Sequence, residues 1–196
     1  MRSLLGKIES TARAGVNWIQ IREKDLSARE LAALTAEALR RIPHACSVLV
    51  NDRLDVAIAA GAGGVHLGEH SIPVEEARRL LRDKTVNADF LVGVSVHSLR
   101  SAEAAERSGA DYVVFGPVFE TPSKTAFGSP QGEEKLAQIC AGVSLPVVAI
   151  GGIGPENAAK CEAAGAAGIA AIRMFQDAAD VPALLRRLRG DGNEQS

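Results

Sequence analysis

Gln20, Arg22 and Lys24 stand at alternate positions of the run NWIQIREKD, residues 17 to 25. In a strand that spacing puts all three on one face with Trp18, and Ile19 and Ile21 on the other. A face turned to solvent would account for the polarity, and it would leave Trp18 exposed. The alternative is an amide and two cations gathered on an anion, joined by Lys124 from the Gly/Pro/Ser/Thr-rich loop at 116 to 132. Cations crowded around one cavity need an anion to offset their repulsion and desolvation. Otherwise Arg22 and Lys24 simply pair with Asp52 and Glu69.

Two further groups carry chemistry. Asn51 and Asp52 end the run SVLVN and its next residue, and Glu69 follows GGVHLG. Carboxylates beside a phosphate-binding cation cluster make sense when Mg²⁺ bridges them, because Mg²⁺ takes one or two carboxylates plus phosphate oxygens. A salt bridge to Arg22 or Lys24 is the competing explanation. The stretch VVAIGGIGPENAAK, 147 to 160, reads as a buried strand, then Gly151 and Gly152, then Pro155 and Asn157 opening a helix. Glycines let backbone amides approach a phosphate, and a helix N-terminus adds donors and positive potential. His97 fits an acid, a base or a hydrogen-bonded core histidine, whereas His66, two residues before Gly68, reads as structural. Neither histidine has a partner at metal-ligand spacing.

The elements that position these groups repeat in form. β-rich runs fall at 17 to 22, 47 to 51, 63 to 67, 90 to 96, 111 to 116, 146 to 150 and 168 to 172. Between them lie stretches of helical periodicity, such as 27 to 42 and 73 to 83. Strands alternating with helices predict a parallel sheet with right-handed crossovers, closed as an eight-stranded barrel or left open and doubly wound. GAGG, 61 to 64, and AGAAG, 164 to 168, place glycines at helix C-caps. Polar residues gather where the runs end: Lys24, Asn51, Asp52, Glu69, Ser95, His97, Thr121, Ser123, Lys124, Gly151, Gly152 and Arg173. Chemistry collected at the C-terminal ends of parallel strands is the pattern of a barrel enzyme, which favours the anion over the solvent-facing strand.

Composition narrows the function. The 196 residues are 46% hydrophobic with a formal net charge of -2, enough for one sizeable core and no basic field for nucleic acid. Aromatics, at 4%, are too few for a base-stacking platform. No run approaches the roughly 20 apolar residues of a membrane span, and the N-terminus has no apolar run of signal-peptide length, so a cytoplasmic protein is expected. Cys46, Cys140 and Cys161, an odd set without CxxC spacing, suit reduced thiols.

At this point QIREKD, NDRLDVAIAAGAGGVHLGE, GVSVHS, GADYVVFGPVFETPSK and PVVAIGGIGPEN, taken in that order, resemble the thiamine phosphate synthase and thiazole tautomerase family, from about Gly15 to Phe175. The resemblance implies an α/β fold, a TIM (β/α)8 barrel, spanning 1 to 190 as one domain with a disordered tail at 191 to 196. It implies a synthase that couples 4-amino-2-methyl-5-(diphosphomethyl)pyrimidine with a thiazole phosphate and releases pyrophosphate. Gln20, Arg22, Lys24, Asn51 and Lys124 would hold the diphosphate, Asp52 its Mg²⁺ with Glu69 as a further candidate ligand, and Ser95 the reacting pyrimidine. Thr121, Ser123, Gly152 and the backbone near Ile172, beside Gly151, would hold the thiazole phosphate. Small-molecule phosphates are the expected partners, with a homodimer left open.

Two departures qualify that expectation. Synthases of this kind usually carry a second acidic metal ligand where this chain has Ser71, so Mg²⁺ affinity would have to come from Asp52, Glu69, water and the diphosphate. They usually carry Ser where this chain has Arg173. The sister tautomerase, which uses no metal, relies on a histidine in the position of His97 but usually lacks the full set of Gln20, Arg22 and Lys24. A synthase is therefore expected first, a thiazole tautomerase second and a non-catalytic phosphate-ligand binder third. Residues 1 to 14 read as a helix, so the first strand of an eight-stranded barrel has no sequence here to make it, and a start further upstream or a truncation is expected.

Overall fold

The computed structural model describes residues 2–82, 88–121 and 129–190. Seven strands alternate with helices, in the βα order of a TIM-type α/β fold, and the strand order is the sequence order. The helices are numbered here among the described residues alone. The elements are α1 (Arg2–Arg13), β1 (Trp18–Ile21), α2 (Ala28–Arg41), β2 (Ser47–Asn51), α3 (Leu54–Ala60), β3 (Gly64–Leu67), α4 (Val74–Arg82), β4 (Leu91–Val96), α5 (Leu99–Arg107), β5 (Tyr112–Phe115), α6 (Glu133–Gly142), β6 (Val147–Ile150), α7 (Ala158–Ala163), β7 (Gly168–Ala170), α8 (Arg173–Gln176) and α9 (Val181–Leu188). Every strand expected from the sequence is present, with ends within two residues. The expected tail at 191 to 196 lies outside the described residues. The chain divides into two compact units, Met1–Gly93 and Val94–Ser196.

In the first unit β1, β2 and β3 are parallel, with Gln20 opposite Leu49 and Asn51 opposite His66. β3 is buried at every position, as a parallel strand covered on both faces must be. α2 illustrates how the local sequence builds its element. Ser27 and Glu30 form a reciprocal capping box, which satisfies two of the orphan amides of the first turn and holds the Glu30 carboxyl below its usual range through the Ser27 hydrogen bonds. Leu31, Leu34, Thr35 and Ala38 then form the buried stripe at helical spacing. Buried Thr35 is satisfied by donating to the Leu31 carbonyl at 2.8 Å. In α1, Leu5, Ile8, Thr11 and Ala12 are buried, so the leading helix packs one face.

In the second unit β5, β6 and β7 are parallel, with Phe115 opposite Ala149 and Ile150 opposite Ala170. Phe115, Leu136 and Ile139 are fully enclosed, and α9 starts on an Asp180 cap that accepts the Ala183 amide at 2.8 Å. The glycine expectations are met in part. Gly61 ends α3 in the left-handed region and Gly165 follows α7 at φ 92, whereas Gly64 and Gly168 lie inside strands. All three cysteines are free thiols, with Cys46 and Cys161 buried, and burial raises the pKa of each. Among the described residues no helix is long and apolar enough to cross a membrane.

Candidate active site

The strand ends of the first unit carry the amide, the two cations and the acids. Gln20 donates to the Asn51 side-chain oxygen at 3.0 Å. That bond joins the ends of β1 and β2 and leaves the Asn51 amide nitrogen free to donate elsewhere. Arg22 and Lys24, both exposed, make no ion pair or hydrogen bond among the described residues, and neither do the Asp52 and Glu69 carboxylates. The competing salt bridges from Arg22 or Lys24 to these acids are therefore not formed. Trp18, 37% exposed, lies on the same open face as Gln20, while Ile21 opposite is 4% exposed.

Asp52 is the only non-glycine residue with positive φ among the described residues, at 67°. Its amide donates to the His66 carbonyl at 2.8 Å, and the Arg53 amide donates across it to Asn51 at 2.8 Å. The second bond closes a three-residue turn around a left-handed residue, a rare and strained form. The next turn, around Arg53 at φ -90 and ψ 79, is closed by the Leu54 amide donating to Asp52 at 3.1 Å and leads straight into α3. Arg53 is engaged elsewhere, its guanidinium forking onto Asp55 at 2.9 and 2.6 Å, which holds the Asp55 carboxyl low. His66, whose carbonyl anchors Asp52, is 4% exposed, and desolvation lowers its pKa to about 4, so the ring is neutral and structural as expected.

Glu69 is exposed, and Ser71, its near neighbour, is committed to its own turn. The Ser71 hydroxyl accepts the Gly68 amide at 2.7 Å while the Ser71 amide donates to the Gly68 carbonyl at 3.1 Å. No group of three or more acids, histidines or cysteines able to hold a metal occurs among the described residues. Two hard carboxylates, Asp52 and Glu69, nevertheless fit the way Mg²⁺ binds beside substrate phosphates, which needs only one or two from the protein.

In the second unit Ser95 and His97 lie at the end of β4, His97 exposed just beyond it. His97 Nδ1 is 2.9 Å from the Gly116 carbonyl, so the exposed ring is tied to the strand end and is not in the core. From Gly116 the chain runs alongside β6: Val118 donates to Ile150 at 2.9 Å and Phe119 to Gly151 at 3.0 Å. The approach is so close that a Cβ on Gly116 would lie 2.1 Å from the Ile150 carbonyl, and one on Gly152 would lie 2.3 Å from the Glu120 carbonyl. Gly151 and Gly152 have φ of 98° and 65°. The amides of Gly152 and Ile153 have no protein acceptor among the described residues. Adjacent amides without a protein acceptor are candidates for holding an anion.

Thr121 directly follows Glu120 at this strand end; the β6–β7 register ends with Ile150 opposite Ala170, and Ile172, 55% exposed, and Arg173 follow at the start of α8. Ser123 and Lys124 lie outside the described residues. As expected, Asn157 stands at the N-cap position of α7, which begins at Ala158, but its side chain bonds the preceding loop and not the helix: it accepts the Gly154 amide at 2.9 Å and donates to the Gly152 carbonyl at 2.9 Å.

Gln131 makes contacts at this strand end that the sequence reading passed over. It donates to the Gly116 carbonyl at 3.1 Å and accepts from Lys135 Nζ at 2.5 Å. Its placement in a loop rich in turn residues, with a backbone carbonyl as partner, offered no pattern to find it by.

Comparison with known proteins adds the following. The family model described as thiamine monophosphate synthase matches residues 1–175. A thiamine-phosphate synthase of Methanoculleus marisnigri is 48% identical over 180 residues, covering 91% of this chain and 82% of that one. A thiamine-phosphate synthase of Moorella thermoacetica is 43% identical over 190 residues, covering 96% and 88%. Among solved structures, a thiamine phosphate pyrophosphorylase from Pyrococcus furiosus superposes with a TM-score of 0.83 at 34% identity, covering 95% of this chain and 87% of that one.

Proposed function

The chain belongs to the thiamine monophosphate synthase family and is a transferase of that type, and we propose that its strand ends divide the two substrates between them. The diphosphate of 4-amino-2-methyl-5-(diphosphomethyl)pyrimidine is held by Arg22 and Lys24 with the Gln20–Asn51 amide pair, and by Lys124. Ser95 binds the pyrimidine. The thiazole phosphate rests on the Gly152 and Ile153 amides with Thr121, Ser123 and the backbone at Ile172, and Arg173 adds positive charge. Asp52 and Glu69 are the residues that would hold Mg²⁺, which when bound would offset charge on the departing pyrophosphate.

The chemistry asks little of the protein beyond charge and dryness. The bond between the pyrimidinylmethyl carbon and the diphosphate oxygen breaks, and both electrons leave with pyrophosphate. Arg22 and Lys24 stabilise that developing charge, which is where a transferase of this kind gains most. The thiazole nitrogen then gives its lone pair to the methylene carbon and forms the new C–N bond. No protein nucleophile is needed, and exclusion of water protects the cation in between.

The single observation that carries this reading is the pair of cations, Arg22 and Lys24, exposed and unpaired among the described residues at the strand end where Gln20 bonds Asn51. The tautomerase and the non-catalytic binder find no support among the relatives, which are named as synthases. Incubating the protein with both substrates and Mg²⁺ tests the proposal. Thiamine phosphate and pyrophosphate should appear in equal amounts, and no product from a folded protein that isomerises the thiazole phosphate carboxylate would transfer the assignment to the sister activity.

A further inference from the structure

Ile153 shares one peptide unit with the Gly152 carbonyl and the next with the Gly154 amide, and the Asn157 side chain holds both of those groups. Its nitrogen donates to the Gly152 carbonyl at 2.9 Å, and its oxygen accepts the Gly154 amide at 2.9 Å. A carbonyl only accepts and an amide N–H only donates, so the side chain has one permitted orientation between them. Among the described residues neither main-chain group has another partner.

That hold sets a direction. A trans peptide is planar with its C=O and N–H on opposite sides, so pinning the Gly152 carbonyl on Asn157 aims the Ile153 N–H away from Asn157. Packing does not do this by itself. Gly152 is pressed against the Phe119–Glu120 backbone and Ile153 is 7% exposed, yet a peptide unit can turn over between two fixed Cα atoms. Glycine, lacking a Cβ, accepts the backbone angles of either state. The turned-over peptide would put a carbonyl where the N–H now points, and an anion would meet an acceptor in place of a donor.

We propose that Asn157 is a positioning residue: by pinning the Gly152 carbonyl it keeps the Ile153 amide as a donor to the phosphate of the thiazole substrate. This rests on the proposed function for the identity of the ligand, whereas the aim of the amide rests on the two hydrogen bonds. The position asks for one donor and one acceptor on a short side chain, which asparagine supplies and an ionised aspartate, acceptor only, does not.

The test is a titration with inorganic phosphate followed by nitrogen-15 NMR of the backbone amides, with steady-state kinetics, in the parent protein, Asn157→Ala and Asn157→Ser. In the parent, phosphate should move the Gly152 and Ile153 amide resonances together. In Asn157→Ala the Ile153 response should be lost, and phosphate affinity should weaken about tenfold, as expected for one donor withdrawn from a charged acceptor. KM for the thiazole phosphate should rise by a similar factor, with KM for the pyrimidine diphosphate unchanged. Asn157→Ser, which keeps a hydroxyl on a shorter side chain, should change both readouts in the same direction by less, and it decides the matter if Asn157→Ala does not fold. Folded variants whose Ile153 amide still answers phosphate as in the parent overturn the proposal, as does a parent in which phosphate moves neither amide. Equal rises in both KM values would mark a residue that only supports the fold, and would overturn it too. If phosphate binds as expected but the parent makes no thiamine phosphate, the proposed function falls alone, and the titration still decides the role of Asn157.

Discussion

Asp52 and Gly152 have almost the same backbone φ, 67° and 65°, at the ends of β2 and β6, yet one is an aspartate and the other a glycine. At Gly152 the reason is contact: the Phe119–Glu120 backbone presses against it, and a Cβ would lie 2.3 Å from the Glu120 carbonyl. No side chain fits there. At Asp52 a residue with a Cβ is held in the left-handed region by two backbone bonds, through His66 and Asn51, at a cost of roughly 1–2 kcal/mol relative to an unstrained residue. On the proposed function the same local geometry would serve two ends, a backbone cradle for one phosphate and a carboxylate for the metal beside the other. Strain would then be retained where the side chain does the chemistry and removed with glycine where the backbone does it.

The sharpest way to break this contrast is Gly152→Ala. The added methyl meets backbone, which cannot swing aside, so stability should fall by about 3 kcal/mol or more in denaturant titration, with thiazole phosphate binding lost. A loss under about 1 kcal/mol would mean that the cradle is not as closely packed as the account requires. Second in size is the anchor of Asp52. His66 titrates at about 4 when folded against 6.5 in an exposed chain. Between those values the unfolded chain binds a proton that the folded protein refuses, so stability should drop by about 3 kcal/mol as pH falls from 7 to 4 and level off below. Substituting His66→Gln should flatten that segment of the stability profile, and an equal slope in the variant would assign the effect to other groups. Smallest is Asp52→Gly, which should raise stability by up to about 1 kcal/mol by releasing strain while Mg²⁺-dependent turnover collapses. A loss of stability would show that the aspartate is not strained at all.

The elements themselves were plain in the sequence because parallel strands covered on both faces appear as short apolar runs, and the stripe Leu31, Leu34, Thr35 and Ala38 repeats at helical spacing. The site was half legible for a related reason: polar residues such as Gln20, Arg22 and Asn51 stand out at the ends of apolar runs. What stayed hidden depends on backbone partners. Gln131 binds a carbonyl, Asn157 turns back on the Gly152 loop one residue before its helix, and Asp52 takes a conformation that no composition rule assigns to it. Periodicity reports which side a residue faces. It does not report which main-chain group that residue meets.

The division of labour between the two strand ends is tested most directly by steady-state kinetics of Asp52→Asn with Mg²⁺ and each substrate varied in turn. Asparagine keeps the size and the left-handed tolerance of the position but removes the charge. The Mg²⁺ concentration for half-maximal synthase activity should rise at least tenfold and kcat should fall, while KM for the thiazole phosphate stays within about twofold of the parent. A variant with an unchanged Mg²⁺ requirement, or one in which the thiazole KM rises as much as the Mg²⁺ requirement, would contradict the account.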